Sequence, residues 1–184
     1  MHEHPSQALL DAYTILEHKA SLQGLKVVLV GDILHSRVAR SNIHLLSKFG
    51  AKITLCGPPE LLPDLAITLA HGMRMERNFD RAVASADAIM MLRVQKERLA
   101  GLNLSVPDYV RDYQLTPERL ARARHDALVM HPGPMMRGME LTGEIADGPQ
   151  SVILDQVRNG VAIRMAILAN ALEAAQHIPT AGAA

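Results

Sequence analysis

An excess of charge of either sign is missing from this 184-residue sequence, in which 19 lysines and arginines balance 19 aspartates and glutamates. A neutral chain lacks the positive field on which binding to nucleic acid or an anionic membrane depends, so neither partner is expected. Aromatic residues are also scarce. Three tyrosines, two phenylalanines and no tryptophan leave few platforms for stacking bases. The single cysteine, Cys56, cannot form an internal disulfide, which suits a reducing compartment. No segment approaches the ~20 consecutive apolar residues of a membrane helix. The opening Met1-His2-Glu3-His4-Pro5 has neither the basic end nor the apolar run of a secretory leader. A cytoplasmic protein is expected. What is present, 48% hydrophobic and 21% charged residues, suits one soluble domain with a real core.

The apolar residues fall into alternating helical and strand-like stretches. Pro5 at a first helical position, followed by Ala8, Leu9, Leu10, Ala12, Ile15 and Leu16, predicts a helix ending near Gly24. Lys26 to Val30 is a β-branched run that stops at Gly31-Asp32 and reads as a buried strand. Helical spacing resumes from about Ser36 to Phe49, with Gly50 as the stop. Further strands are predicted at Ala51 to Leu55, Arg74 to Glu76, Ala88 to Leu92 and Ala127 to Met130, and further helices at Asp64 to His71 and Phe79 to Ala86. Thr116-Pro117-Glu118 has the cap and first-turn proline of another helix. Arg93 to Tyr113 is charged and irregular and reads as a long functional loop. The alternation implies an α/β, three-layer fold: a mainly parallel sheet with helices on both faces.

The last predicted helix, Ser151 to Ala175, is unusual. Between Val161 and Ala175 only Arg164, Asn170 and Glu173 are polar, and at ~100° per residue they share no face. Such a helix wants partners on two sides, whereas one sheet covers only one.

Ligands of open parallel sheets bind at the carboxyl ends of the strands, so the residues after each strand are the candidates. After the first strand, Ile33 and Ser36 stand where a dinucleotide fingerprint needs glycines, which excludes close approach of a pyrophosphate. The segment instead offers a helix N-terminus bearing Arg37, suited to a small anion; a solvated Arg37 is the alternative. After the fourth strand come Arg93 and Gln95, two apart and so on one side of an extended loop. A guanidinium beside an amide can read a carboxylate. The Lys96 to Arg98 run reads as a solvated face. His131-Pro132-Gly133-Pro134 forms a stiff turn whose carbonyls could face a ligand amide. His4 and Gln7 lie three apart at a helix start, a donor for an oxyanion and an acceptor for an amide NH2. His2, His18, His35, His44, His71, His125 and His177 fit no metal motif such as H-E-x-x-H and are read as having no chemical role. Cys56 and the methionines at 73, 75, 90 and 91 read as core.

In order along the chain, His4-Pro5-Ser6-Gln7-Ala8-Leu9-Leu10-Asp11, Gly31-Asp32 with Ser36-Arg37-Val38-Ala39-Arg40-Ser41, Arg93-Val94-Gln95-Lys96-Glu97-Arg98 and His131-Pro132-Gly133-Pro134 resemble the second domain of aspartate carbamoyltransferases. The resemblance covers nearly the whole chain. It implies transfer of a carbamoyl group from carbamoyl phosphate to L-aspartate in pyrimidine synthesis. It further implies that His4 polarises the carbamoyl carbonyl, that Gln7, Gly133 and Pro134 contact the carbamoyl group, and that Arg37, Arg93 and Gln95 hold the aspartate carboxylates. No metal or organic cofactor is implied, because phosphate is already a good leaving group.

The family's Ser-Thr-Arg-Thr phosphate loop and its preceding domain, which builds a homotrimer and completes a neighbour's site, have no counterpart here. Met136 replaces an asparagine common in relatives. The expectation is therefore a single aspartate-binding domain over residues 1–184, inactive alone, whose helices at 1–24 and 151–175 pack on the missing carbamoyl-phosphate domain. Ornithine carbamoyltransferases place a His-Cys-Leu-Pro turn and a Ser-Met-Gly loop where this chain has neither. A non-catalytic subunit retaining the fold is the alternative, and loss of His4, Arg37 or Arg93 would mark it.

Overall fold

The computed structural model describes residues 3–99, 101–102 and 104–176; His2, His177 and the Ala/Gly tail fall outside them, as do the side chains of Lys96 and Arg98. In chain order the elements are α1 (Pro5–Lys19), β1 (Lys26–Val30), α2 (Arg37–Lys48), β2 (Lys52–Cys56), a 3-10 turn (Asp64–Leu69), β3 (Arg74–Glu76), α3 (Phe79–Ala82), β4 (Ala88–Met91), α4 (Lys96–Leu99), α5 (Val106–Tyr113), α6 (Pro117–Leu120), β5 (Leu128–Met130), α7 (Gly143–Ala146) and α8 (Ile153–Gln176). The five strands form one sheet in the order β3-β2-β1-β4-β5, every pair parallel.

The period-two pleat divides the core. Val27, Leu29, Ile53, Leu55, Met90 and Met130 pack with Ala12 and Ile15 of α1 and Ile43 and Leu46 of α2 on one face. Val28, Val30, Ile89, Met91 and Val129 pack on the other with Phe79, Tyr109, Tyr113, Leu120 and Ile145 from α3, α5, α6 and α7. Strands buried on both faces need continuous apolar runs, and β1 and β4 supply them. The three-layer α/β architecture is as expected.

Several local expectations change. The segment predicted as an irregular loop holds α4 and α5. Ser105 caps α5 by accepting from the Asp108 N–H at 3.2 Å, and Tyr109 and Tyr113, four apart, turn one buried face into the core. Charged residues on the opposite face hid that stripe. α1 stops at Lys19, short of Gly24, because Ala20 adopts a left-handed conformation (φ 52°). α3 ends at Ala82 because Ser85 turns left-handed (φ 59°) and donates its N–H to the Arg122 carbonyl. Residues 64–69 wind as a 3-10 turn, with Leu65 and Ile67 left exposed.

α8 is packed only at its start, where Ile153, Gln156, Asn159 and Gly160 are buried. Leu154, Val157, Val161, Met165, Leu168 and Leu172 stay exposed, five of them between 61% and 66% and Leu154 at 83%. Among the described residues no helix is long and apolar enough to cross a membrane.

Gly31, which ends β1, is required by its surroundings. Its φ is +120°, and a Cβ there would come 3.0 Å from the Leu92 carbonyl oxygen and 3.1 Å from the Tyr109 hydroxyl. Gly31→Ala is expected to lower the unfolding free energy by about 2 kcal/mol or more, through backbone strain and overpacking together, measured by urea denaturation.

Candidate functional site

The strand order reverses direction between β1 and β4, since the chain runs outward through β2 and β3 and then returns to add β4 and β5 on the other side. Such a switch point opens a crevice at the carboxyl ends of the two strands. Val30 pairs with Met91 there, so the loops after β1 and β4 leave the sheet side by side.

The loop after β1 is tied down before α2 begins. Ser36 caps α2 by accepting from the Ala39 N–H at 3.0 Å, which makes Arg37 the first helical residue, its side chain exposed. Asp32, 1% exposed, accepts from the His35 backbone N–H at 3.0 Å, and its Oδ1 lies 2.9 Å from Nδ1 of His35. After β4 the exposure alternates: Arg93 is exposed, Val94 buried and Gln95 half-buried, so 93 and 95 share a side as the two-residue spacing predicts. The Val94 N–H donates to Oε1 of Glu140 at 3.1 Å, and Oε2 of Glu140 accepts from the Met136 N–H at 2.6 Å. Glu140 is fully buried and so ties the arginine loop to the turn after β5. In that turn the Gly133 N–H donates to Nδ1 of His131 at 2.9 Å.

These loops enclose a cleft of about 160 Å3 lined by Arg37, Arg93, Gln95, Gly133, Pro132, Asp32 and His35, among others. It is smaller than the roughly 300 Å3 at which sites for larger organic ligands begin, which suits a small metabolite. A larger hollow, about 610 Å3, lies beside Lys26, Arg74 and Arg81 and includes none of the candidate residues.

His4 and Gln7 stand outside that cleft, on the first turn of α1. The His4 N–H donates to Oγ of Ser41 at 2.8 Å, which fixes α1 against α2. Burial, then the fields of Arg37 and Arg164, hold the His4 imidazole below its ordinary pKa. A neutral ring that donates one N–H is the form that can polarise a carbonyl. Gln7 is buried and gives its amide NH2 to Asp11 at 2.9 Å, leaving its carbonyl oxygen as the group to accept from a ligand. Pro134 follows Gly133 in an exposed turn and does not line the cleft.

Two features escaped the sequence reading. Arg164 reaches back along α8 so far that a Cβ on Gly160 would come 2.6 Å from its guanidinium. In the sequence it was one polar residue among apolar ones. The second is Asp11, wholly buried, whose carboxylate accepts from Gln7, from Asn42 at 2.8 Å and from Gln156 at 2.7 Å. Gln156 in turn accepts from the His131 N–H at 2.9 Å, so Asp11 links Gln7 to the turn after β5. Burial raises its pKa to about 6 against the pull of those three amides.

A parallel sheet with two arginines at its switch point defines an α/β domain whose cleft, at the carboxyl ends of its strands, has the charge to suit a small anion. The sequence model described as the aspartate/ornithine carbamoyltransferase, Asp/Orn binding domain, matches residues 23–171. The aspartate carbamoyltransferase catalytic subunit of Koribacter versatilis is 61% identical over 168 residues, covering 91% of this chain and 55% of that protein. That of Solibacter usitatus is 56% identical over 167 residues, with the same coverage of 91% and 55%. Among solved structures, the Pyrococcus furiosus ornithine carbamoyltransferase superposes with TM-score 0.79 at 30% identity, over 91% of this chain and 56% of that one. The Trypanosoma cruzi aspartate transcarbamoylase, in complex with carbamoyl aspartate and phosphate, gives TM-score 0.79 at 30% identity, over 90% and 55%. The chain belongs to the aspartate/ornithine carbamoyltransferase family, a family of transferases, and carries its aspartate/ornithine-binding domain. It spans about half the length of the relatives it matches.

Asp11 makes stability depend on pH in a defined sense. Its pKa is higher folded (about 6) than unfolded, so the folded chain holds this proton more tightly, and the contribution of Asp11 falls as pH rises from about 4 to about 6. Wild type should therefore gain on Asp11→Asn, which cannot ionise, by up to about 3 kcal/mol as pH is lowered from 7 to 4. Denaturant titrations of both proteins across that range check it.

Proposed function

We propose that this chain is the aspartate-binding half of an aspartate carbamoyltransferase. Arg37 and Arg93, with Gln95, grip the two carboxylates of L-aspartate; His4 donates a hydrogen bond to the carbamoyl oxygen; and Gln7, Gly133 and Pro134 meet the carbamoyl group. The observation that carries this reading is the single small cleft onto which Arg37, Arg93, Gln95 and Gly133 all open. Two guanidinium groups match a dicarboxylate in charge and in bidentate geometry. A cationic side chain such as that of ornithine would meet Arg93 with like charge, and the curated relatives cited above are named for aspartate.

The chemistry follows. The aspartate amine attacks the sp2 carbamoyl carbon, negative charge develops on its oxygen, and phosphate departs. A neutral His4 supplies the N–H that this charge calls for, and loss of such a donor commonly costs ~10²–10³ in turnover. With both guanidinium groups of the cleft engaged by the dicarboxylate, no further cation lines it for a phosphate. We assign that task to a carbamoyl-phosphate domain in the part of the relatives' length that this chain does not match, in a cytoplasmic homotrimer serving pyrimidine synthesis.

The exposed residues of α8 support a docking face for that domain. Leu154, Val157, Val161, Met165, Leu168 and Leu172 follow one another at steps of three, four, four, three and four. At 3.6 residues per turn they fall within roughly 80° of one another and run ~27 Å along the helix. A contiguous apolar stripe of that size marks an interface. Leu9, Tyr13 and Leu16 of α1 are also about 40% exposed.

Two measurements test the reading. Succinate, a dicarboxylate without the reactive amine, should bind the chain weakly and saturably in an NMR titration. Arg37→Ala and Arg93→Ala should each weaken it by about tenfold or more, as loss of a charge-assisted pair does. Saturation unaffected by either substitution would remove the assignment. Separately, the purified chain should show no carbamoylation of aspartate in a steady-state assay, since the phosphate has no cradle; ordinary turnover would refute the division of labour between two domains.

A further inference from the structure

We propose that His35, oriented by Asp32, takes the proton that the bound amino acid's ammonium group must lose before its nitrogen can attack; this rests on the dicarboxylate reading of the cleft given above. His35 fits no metal motif and so drew no role from the sequence. The structure places it on the cleft with Arg37 and Arg93, its side chain 41% exposed.

Its attachment is specific. Nδ1 lies 2.9 Å from one oxygen of Asp32 and 3.2 Å from the other, and the backbone N–H of His35 donates to the same carboxylate. Asp32 is buried and can only accept when ionised, so the proton of the neutral ring belongs on Nδ1. Nε2 lies across the ring, away from Asp32, and keeps a lone pair. A histidine whose far nitrogen is held by a buried carboxylate is an orienting arrangement used wherever a near nitrogen must accept a proton, because the carboxylate also stabilises the imidazolium that forms.

The charged groups that face His35 explain how substrate would switch this on. Asp32 comes from the loop after β1, Arg37 from α2 and Arg93 from the loop after β4; the turn after β5 presents only Pro132 and Gly133 to the cleft. Two guanidinium charges stand by the ring in the empty cleft, and a bound dicarboxylate neutralises both, leaving the carboxylate of Asp32 as the charge next to His35.

The step balances. One ammonium proton passes to Nε2, and the lone pair so freed forms the N–C bond to the carbamoyl carbon. The C–O bond to phosphate breaks with its electron pair on the phosphate, and the second proton of the attacking nitrogen leaves with it. His35 then returns its proton to solvent.

His35→Asn separates the two sides of the ring, because the asparagine NH2 keeps a donor near Asp32 and lacks an acceptor at the Nε2 position. NMR titrations of the chain with succinate and with L-aspartate are the test. In the variant, L-aspartate should weaken by about tenfold while succinate changes less than about twofold, since only L-aspartate has the ammonium group. Equal weakening of both ligands, or no weakening of either, overturns the role of His35 while leaving the dicarboxylate site standing. Absence of saturable succinate binding in wild type defeats the site itself.

Discussion

Val30 of β1 lies beside Met91 of β4, and this register decides where two positive charges stand. Arg37 follows the first strand by seven residues and Arg93 the second by two, yet both open on one cleft because the strands that precede them are neighbours in the sheet. Parallel strands must be joined by crossovers, so residues this far apart in sequence meet only through the strand order. A change that slipped β1 against β4 by one residue would turn every buried side chain of that strand to the opposite face. The site therefore has the stability of the core beneath it, and needs no stiffness of its own.

Two buried carboxylates carry that stability up into the loops. Glu140 accepts the N–H groups of Val94 and Met136, and Asp11 accepts from Gln7, Asn42 and Gln156. Each spans segments that the sheet alone does not connect, and each costs desolvation that several charge-assisted hydrogen bonds offset. The raised pKa of Asp11 records that the offset is incomplete. Retaining such a group in a core makes physical sense where its job is to hold a neighbouring amide in one orientation. Gln7 is that neighbour.

How much of this was legible in the sequence depended on the range of the interactions. β1 and β4 showed as apolar runs because a strand buried on two faces has a one-dimensional signature. Arg37, Arg93 and Gln95 were legible because the positions after such strands are the crevice of an open sheet. α5 was not, since its Tyr109–Tyr113 face is diluted by Asp108, Arg111 and Asp112 on the other side. His35 was passed over for want of a metal-binding partner, although Asp32-x-x-His35 after a strand holds the carboxylate and imidazole that later bond. The partnership of Asp11 with Gln156 crosses 145 residues and leaves no local trace.

α8 shows the limit of treating this domain as self-sufficient. Its first two turns obey the ordinary rule, burying Ile153, Gln156, Asn159 and Gly160. From Leu154 onward the opposite side of the helix carries large apolar residues outward, with 154 and 165, 157 and 168, and 161 and 172 eleven apart, a spacing that drifts only about 20° over three turns. Intrinsic propensity rewards the alanines and leucines there by only fractions of a kcal/mol per residue, so it does not explain six exposed large side chains aligned on one face. Exposure of that kind is costly in water, which is the physical argument for the docking partner proposed above. α1, which bears His4 and Gln7 at its start, packs between α2 and α8 and also leaves Leu9, Tyr13 and Leu16 exposed. A domain docking on α8, as proposed, would thus press on the helix whose start carries His4 and Gln7, the two proposed carbamoyl contacts, and would couple the covering of the stripe to the geometry of that end of the helix.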